Sequence, residues 1–165
     1  MGYNGNNIIV QPNLTDFDYW RPINAEIKYT LGYSGAPYLK DGLFDLFKAI
    51  SILQKEDLNV NLNVIFTGLV ETPKVKQYLS ECQILAIIRP YTIQTQAGFP
   101  TKLGEYFATK RPVLATNFGD MEAYFTDGVD IIIAECENPE SIALKIKWML
   151  QNNRELASIT ERGLQ

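Results

Sequence analysis

Ile84-Leu85-Ala86-Ile87-Ile88 is an unbroken apolar run between Gln83 and Arg89. It has the length of a strand and lacks the polar alternation of a half-exposed one. Such a run suits a strand covered on both faces. Helical spacing flanks it. Val75, Tyr78, Leu79 and Cys82 share one side of residues 71–82, and residues 99–108 carry the next helical stretch. A strand sandwiched this way belongs to a sheet with helices on both sides.

The alternation extends along the chain. Residues 28–33 are rich in strand formers and end at Ser34-Gly35. Residues 41–54 place Leu43, Phe44, Phe47, Ile50 and Leu53 at a helical period, and 62–67 form a strand stopped by Gly68. A polar loop at 89–98 precedes the helix at 99–108. Then come a strand over 112–116, a short helix over 120–125 and a strand over 130–134. Asn138-Pro139-Glu140 opens the last strong helix, with Asn138 as cap, Pro139 in the first turn and Glu140 near the positive end of the dipole. Ile142, Ala143, Ile146, Met149 and Leu150 form its apolar stripe. This order predicts one α/β domain, doubly wound, with a mostly parallel sheet. Residues 1–24, punctuated by Pro12 and Pro22 and lacking a helical period, read as a connector; 25–165 form the domain. Phe44, Phe47, Phe107, Tyr124 and Phe125 read as packing residues, and Trp148 as a packing or interface residue.

Composition removes whole classes of chemistry. The 165 residues include no histidine, so this chain supplies no Ser-His-Asp or Cys-His catalysis and no His-ligated metal. Fifteen basic against 19 acidic residues leave a formal charge of −4, which argues against nucleic acid as a partner. Asp16, Asp18 and Asp120 have no metal-ligand spacing, and no metal is expected. Cys82 and Cys136 form no CxxC; spacing allows a single disulfide between them, and the favoured reading is two buried free thiols of a reduced, cytoplasmic protein. No apolar run approaches the ~20 residues of a membrane span.

In a parallel α/β sheet, ligands bind where strands end at their carboxyl edge. Two loops there are candidates. In residues 32–42, small residues allow close backbone approach, and Lys40 stands just before a helix. In residues 94–105, Pro100 suits a first helical position, followed by Thr101 and Lys102 in the first turn. A lysine there opposes the helix dipole unless an anion docks beside it. Glu105 lies three residues after Lys102, on the same side of the helix. One helix thus offers N–H groups and a hydroxyl to a phosphate, and a carboxylate to vicinal hydroxyls. An exposed Lys-Glu pair on a surface helix explains the same pattern without a ligand.

Several segments together resemble a known family. They are Tyr33-Ser-Gly-Ala-Pro-Tyr-Leu-Lys-Asp-Gly42, Val64-Ile-Phe-Thr-Gly-Leu-Val70, Gly98-Phe-Pro-Thr-Lys-Leu-Gly-Glu-Tyr-Phe-Ala108 and Arg111-Pro-Val-Leu-Ala-Thr-Asn-Phe-Gly119, followed by Asp127-Gly128 to Ile133. In this order they resemble the C-terminal, donor-binding half of a retaining GT-B glycosyltransferase of family 4. The resemblance implies a Rossmann-like domain that holds a UDP- or GDP-linked sugar as substrate, without a further cofactor. It implies that Lys40 neutralises the donor diphosphate and stabilises it as it leaves. Val70 would lie beside the base, and Gly35 in the first loop. Backbone of Gly98, Phe99, Pro100, Thr101, Lys102 and Leu103 would contact diphosphate and sugar, and Glu105 would accept the ribose hydroxyls. The reaction implied is front-face transfer of a hexosyl group to a glycan or lipid-linked acceptor, in polysaccharide biosynthesis. The acceptor-binding N-terminal half is expected as a partner domain outside these residues. This half alone would then be inactive, and any membrane contact would come through the other half.

Three departures stand out. The family commonly carries two glutamates seven residues apart; Glu105 is the second, and the first falls on Ala97. A loop arginine is replaced by Ser34 or Gly35, which shifts charge neutralisation to Lys40, with Lys102 and Arg89 as helpers. Finally, residues 57–63 stand where the family has a further strand and helix: either that unit is absent from the chain or a segment is missing from the sequence, and the second is favoured because losing an interior strand would require wholesale repacking. The first two departures motivate an alternative: a non-catalytic nucleotide-sugar-binding or interaction module on the same fold.

Overall fold

The computed structural model describes residues 15–35, 41–56 and 67–164. Four strands form one parallel sheet in the spatial order β1 (Tyr29–Gly32), β2 (Cys82–Ile87), β3 (Val113–Thr116), β4 (Ile132–Ala134). Leu31 stands opposite Ile84, Leu85 opposite Val113, and Leu114 opposite Ile132. The apolar run is a central strand, as its composition requires. Ile84, Ala86 and Ile88 face one core, with α2 (Leu43–Lys55), α7 (Pro139–Gln151) and α8 (Asn153–Arg162). Leu85 and Ile87 face the other, with α3 (Thr72–Ser80) and α5 (Lys102–Ala108). The α/β architecture with a parallel sheet between helical layers is the expected one. No helix among the described residues is long and apolar enough to cross a membrane.

The strong helices follow their sequence signals. In α7 the Asn138 Oδ1 accepts the Ser141 N–H at 2.9 Å, with Pro139 in the first turn. Ile142, Ala143, Ile146 and Met149 are buried. In α2 the buried stripe is Leu46, Ala49, Ile50 and Leu53, with Leu43 and Phe47 packed along its margin. Phe44 departs from expectation: it is 70% exposed. It lies two residues from Leu46, about 200° around the helix, and so points away from the core. Gly42 caps α2 in the left-handed conformation (φ 55°), and a Cβ there would stand 2.9 Å from the Ile88 carbonyl oxygen.

Other boundaries differ. α3 ends at Ser80, and Cys82 opens β2 instead of closing a helix. α1 (Phe17–Trp20) forms inside the stretch read as irregular connector. The Asp16 carboxylate accepts the Tyr19 N–H at 2.9 Å, and Trp20 buries into the second core. α4 (Ile93–Gln96) interrupts the loop expected over 89–98. α6 (Met121–Tyr124) is the expected short helix. α8 lies beyond the helix read as the last strong one; Leu156, Ile159 and Thr160 are its buried face. The strand expected over 62–67, apart from Thr67, and the shortened segment 57–63 lie outside the described residues. Both cysteines are free, Cys82 buried and Cys136 half-buried. Burial pushes the Cys82 thiol up to about 11, so it is protonated at neutral pH.

Candidate functional site

All four strands run the same way, so their carboxyl ends meet at one edge. That edge gathers residues 33–35 after β1, 88–101 after β2, 117–119 after β3 and 135–137 after β4. Val70 is half-buried and lies just before α3. Lys40 lies outside the described residues.

The loop after β1 is tied to α5. The Ser34 N–H donates to the Tyr106 hydroxyl at 2.7 Å, and Tyr106 is fully buried. Burial raises the Tyr106 phenol well above its ordinary value, so it stays a neutral acceptor. Gly35 is closely covered. A Cβ there would collide with the Tyr33 hydroxyl and stand 2.8 Å from the Lys102 Nζ. The Lys102 ammonium also sits 5.9 Å from the Tyr33 ring centroid. Lys102 therefore reaches across from α5 to the first loop, bringing two separately expected site segments together.

Glu105 lies one turn further along α5 and is half-buried. Burial pushes its carboxyl above the usual range, and the Lys102 charge pulls it part of the way back. Arg89 is anchored through its backbone: its N–H donates to the Thr116 Oγ1 at 2.8 Å, and that hydroxyl donates to the Arg89 carbonyl at 2.8 Å. Its guanidinium lies 5.3 Å from the Phe118 ring. The edge thus holds cations beside a small-residue loop and a carboxylate with hydrogen-bonding capacity.

The start of α5 corrects the sequence reading. The helix begins at Lys102, not at residue 99, with Thr101 as its cap residue and no side-chain capping bond. Pro100 is buried ahead of the helix, and its carbonyl accepts the Leu103 N–H at 3.1 Å. The reason is local: proline disfavours helical geometry in the residue before it, so Phe99 cannot start the helix. Phe99 instead packs edge-on against Tyr124, with 5.4 Å between ring centroids. Leu103 is buried in the second core and contributes anchoring at this position.

The segment before Gly98, expected as a polar loop that opens a candidate ligand-binding stretch, is a built support. The Thr95 hydroxyl donates to the Pro90 carbonyl at 2.6 Å, and Thr92 and Thr95 cap each other reciprocally. The Gln96 Oε1 accepts the Gly119 N–H at 3.2 Å. Gly119 has φ 57°, and a Cβ there would stand 2.8 Å from the Gly98 carbonyl oxygen. Glycine is required on both counts. The one sequence signal for this contact is a glycine three residues past the end of β3. A concavity of about 630 Å³ lined by Ile23, Lys28, Lys76 and Glu81 lies at the opposite, amino-terminal edge. Strand polarity separates it from the residues gathered above.

Comparison with known proteins gives this arrangement a context. The family model described as Glycosyl transferases group 1 matches residues 29–152. The isolated C-terminal domain of a glycosyl transferase group 1 family protein, LpcC of Francisella tularensis, superposes with a TM-score of 0.74 at 17% identity, over 91% of this chain and 94% of that one. HepE of Anabaena, in complex with UDP and glucose, gives 0.67 at 15% identity, over 82% of this chain and 42% of that one. A glycosyltransferase from Rickettsia africae gives 0.65 at 21% identity, over 90% and 46%. The chain spans nearly all of the isolated domain but under half of HepE and of the Rickettsia protein. No curated protein sequence matches it. The parallel sheet between helical layers is the Rossmann-like fold of GT-B C-terminal domains, and with its family match over most of its length the chain belongs to the glycosyl transferases group 1 family.

Proposed function

We propose that this chain is the donor-binding half of a retaining family 4 glycosyltransferase that takes a hexosyl group from a UDP- or GDP-linked sugar. The observation that carries this reading is the meeting of Gly35, Lys102 and Glu105 at the carboxyl edge, within a chain of this family. HepE, which shares the fold, is found with UDP and glucose. A nucleoside diphosphate would bring phosphate charge to the Lys102 ammonium and a vicinal diol to the Glu105 carboxylate.

In this reading the backbone from Gly98 to Leu103 lies along the diphosphate and the sugar. Lys102, with Lys40, offsets the charge that develops as the diphosphate leaves. Glu105 accepts the ribose hydroxyls and fixes the nucleotide's orientation, while Val70 borders the base. The acceptor, expected to be a glycan or a lipid-linked glycan, is held by an N-terminal domain. Its attack on the donor's front face retains anomeric configuration. This half alone then binds donor without transferring it, and works in the cytoplasm, at a membrane only through its partner domain. A second reading is a non-catalytic nucleotide-sugar-binding module. It draws on Ala97 at the place of the family's first glutamate.

Calorimetric titration of the chain with UDP, GDP and their sugar conjugates tests the proposal. Saturable heat with one base is expected. An intact fold that gives no heat with any of these nucleotides refutes the reading. Sugar transfer by the chain joined to an upstream domain separates the enzyme from the module.

A further inference from the structure

We propose that Gln96 and Gly119, two residues that need not touch the donor, are positioning residues for the Gly98 backbone. The inference rests on the donor-binding reading above. Gly119 closes against three successive parts of the 95–98 segment. A Cβ at 119 would stand 2.8 Å from the Gly98 oxygen, 3.3 Å from the Thr95 oxygen and 3.6 Å from the Gln96 oxygen. Its left-handed φ of 57° turns its N–H onto the Gln96 Oε1 at 3.2 Å.

Both sides of this contact are anchored. Thr95 is fully buried and held to Pro90 and Thr92 by its hydroxyl. Beyond the contact, the Asn117 N–H donates to the Ala134 carbonyl of β4 at 3.0 Å, and Phe118 is fully buried. Gly98 itself is under no such demand, because a Cβ there would meet only the Gln94 oxygen at an ordinary 3.6 Å. The position of Gly98 is therefore set by its neighbours.

Gln96 carries a second, independent mark. Its Nε2 is buried with no hydrogen-bond partner among the described residues. An unpaired buried donor is unfavourable, and an apolar side chain of the same shape avoids it. Methionine would remove this unpaired donor, but it would also take away the acceptor of the Gly119 N–H. What the Gln96 amide supplies is the acceptor that holds Gly119 against Gly98. Sites that trade stability for geometry have this signature.

The test uses Gln96→Met and Gly119→Ala in the whole chain, with thermal unfolding and UDP and GDP titrations. Gln96→Met is expected to melt close to the parent, since it removes one unpaired donor and leaves the Gly119 N–H as another, while its nucleotide Kd rises roughly three- to tenfold, the weight of one hydrogen bond. Gly119→Ala is expected to lose more affinity, because a methyl group displaces Gly98 directly. Unchanged nucleotide affinity in Gln96→Met overturns the inference and leaves the donor-binding reading standing. A loss of affinity with a matching fall in melting temperature also overturns it, because it assigns Gln96 to general stability. An unaltered chain that binds neither nucleotide refutes the donor-binding reading and this inference together.

Discussion

Glu105→Gln removes a half-buried negative charge from α5 while keeping the size of the side chain. Its effects on stability and on binding have opposite signs. The fold raises the Glu105 pKa, chiefly by burial. For a carboxyl whose folded value exceeds the unfolded one, the ionised form is penalised in the fold. Stability from this group is greatest below the unfolded pKa and falls as pH rises through the folded one. The penalty is therefore larger at pH 7 than in acid, where the carboxyl is protonated in both states. Glutamine abolishes it, so the variant should melt no lower than the parent at pH 7, with any advantage vanishing near pH 4. Binding moves the other way. A hydrogen bond to a carboxylate contributes about 1.5–3 kcal/mol and a neutral one about 0.5–1.5 kcal/mol. Glutamine also offers one acceptor oxygen where the carboxylate offers two. A net loss of about 1.5–2 kcal/mol weakens nucleotide binding roughly ten- to thirtyfold. Thermal unfolding at the two pH values and titration with UDP and GDP at pH 7 measure both effects. A variant that binds as tightly as the parent refutes the role of Glu105. One that loses affinity only as it loses stability refutes the separation.

Tyr106→Phe deletes the acceptor of the Ser34 N–H from a fully buried site. It should cost about 1–2 kcal/mol and lower the melting temperature by roughly 2–8 °C. An unchanged midpoint counts against the tie between α5 and the first loop. Gly104→Ala forces α1 off α5, since a Cβ at 104 would collide with the Thr15 hydroxyl and stand 2.8 Å from the Thr15 Cβ. A loss of about 1–3 kcal/mol in chemical unfolding is expected, partly recovered when Thr15→Gly is added; no recovery would refute the proposed clash. At the amino-terminal edge, Lys28 and Gln77 hydrogen bonds lower the Glu81 pKa. That stabilisation is present above the unfolded carboxyl range and is lost as pH falls through the lowered value. Lys28→Met should therefore flatten the acid limb of the stability profile. A profile identical to the parent's would show that the pair contributes nothing.

The sequence alone determined the alternation of strands and helices, because long apolar runs and helical stripes are local signals. The apolar run from Ile84 suggested a covered strand, and Asn138-Pro139 marked the start of α7, both without tertiary information. The carboxyl-edge rule and the motif from Gly98 also placed the candidate site on α5 and on the loop after β1. Short elements stayed hidden. α1 and α4 each span four residues, about one turn, too few to display a period. α8 is mostly polar and buries only Leu156, Ile159 and Thr160. Phe44 shows the limit of spacing alone: it fits a helical count, yet the core contacts the other side of α2.

Only the tertiary structure decided which distant residues meet. Lys102 beside Gly35, Tyr106 under Ser34 and Gly119 against Gly98 join segments carried on different strands and helices. No local pattern encodes such contacts, because they depend on the order of strands in the sheet. The same ordering sent the concavity near Lys28 to one edge and the candidate donor site to the other. A residue's chemistry is written in its side chain, but its neighbours come from the packing of the whole sheet.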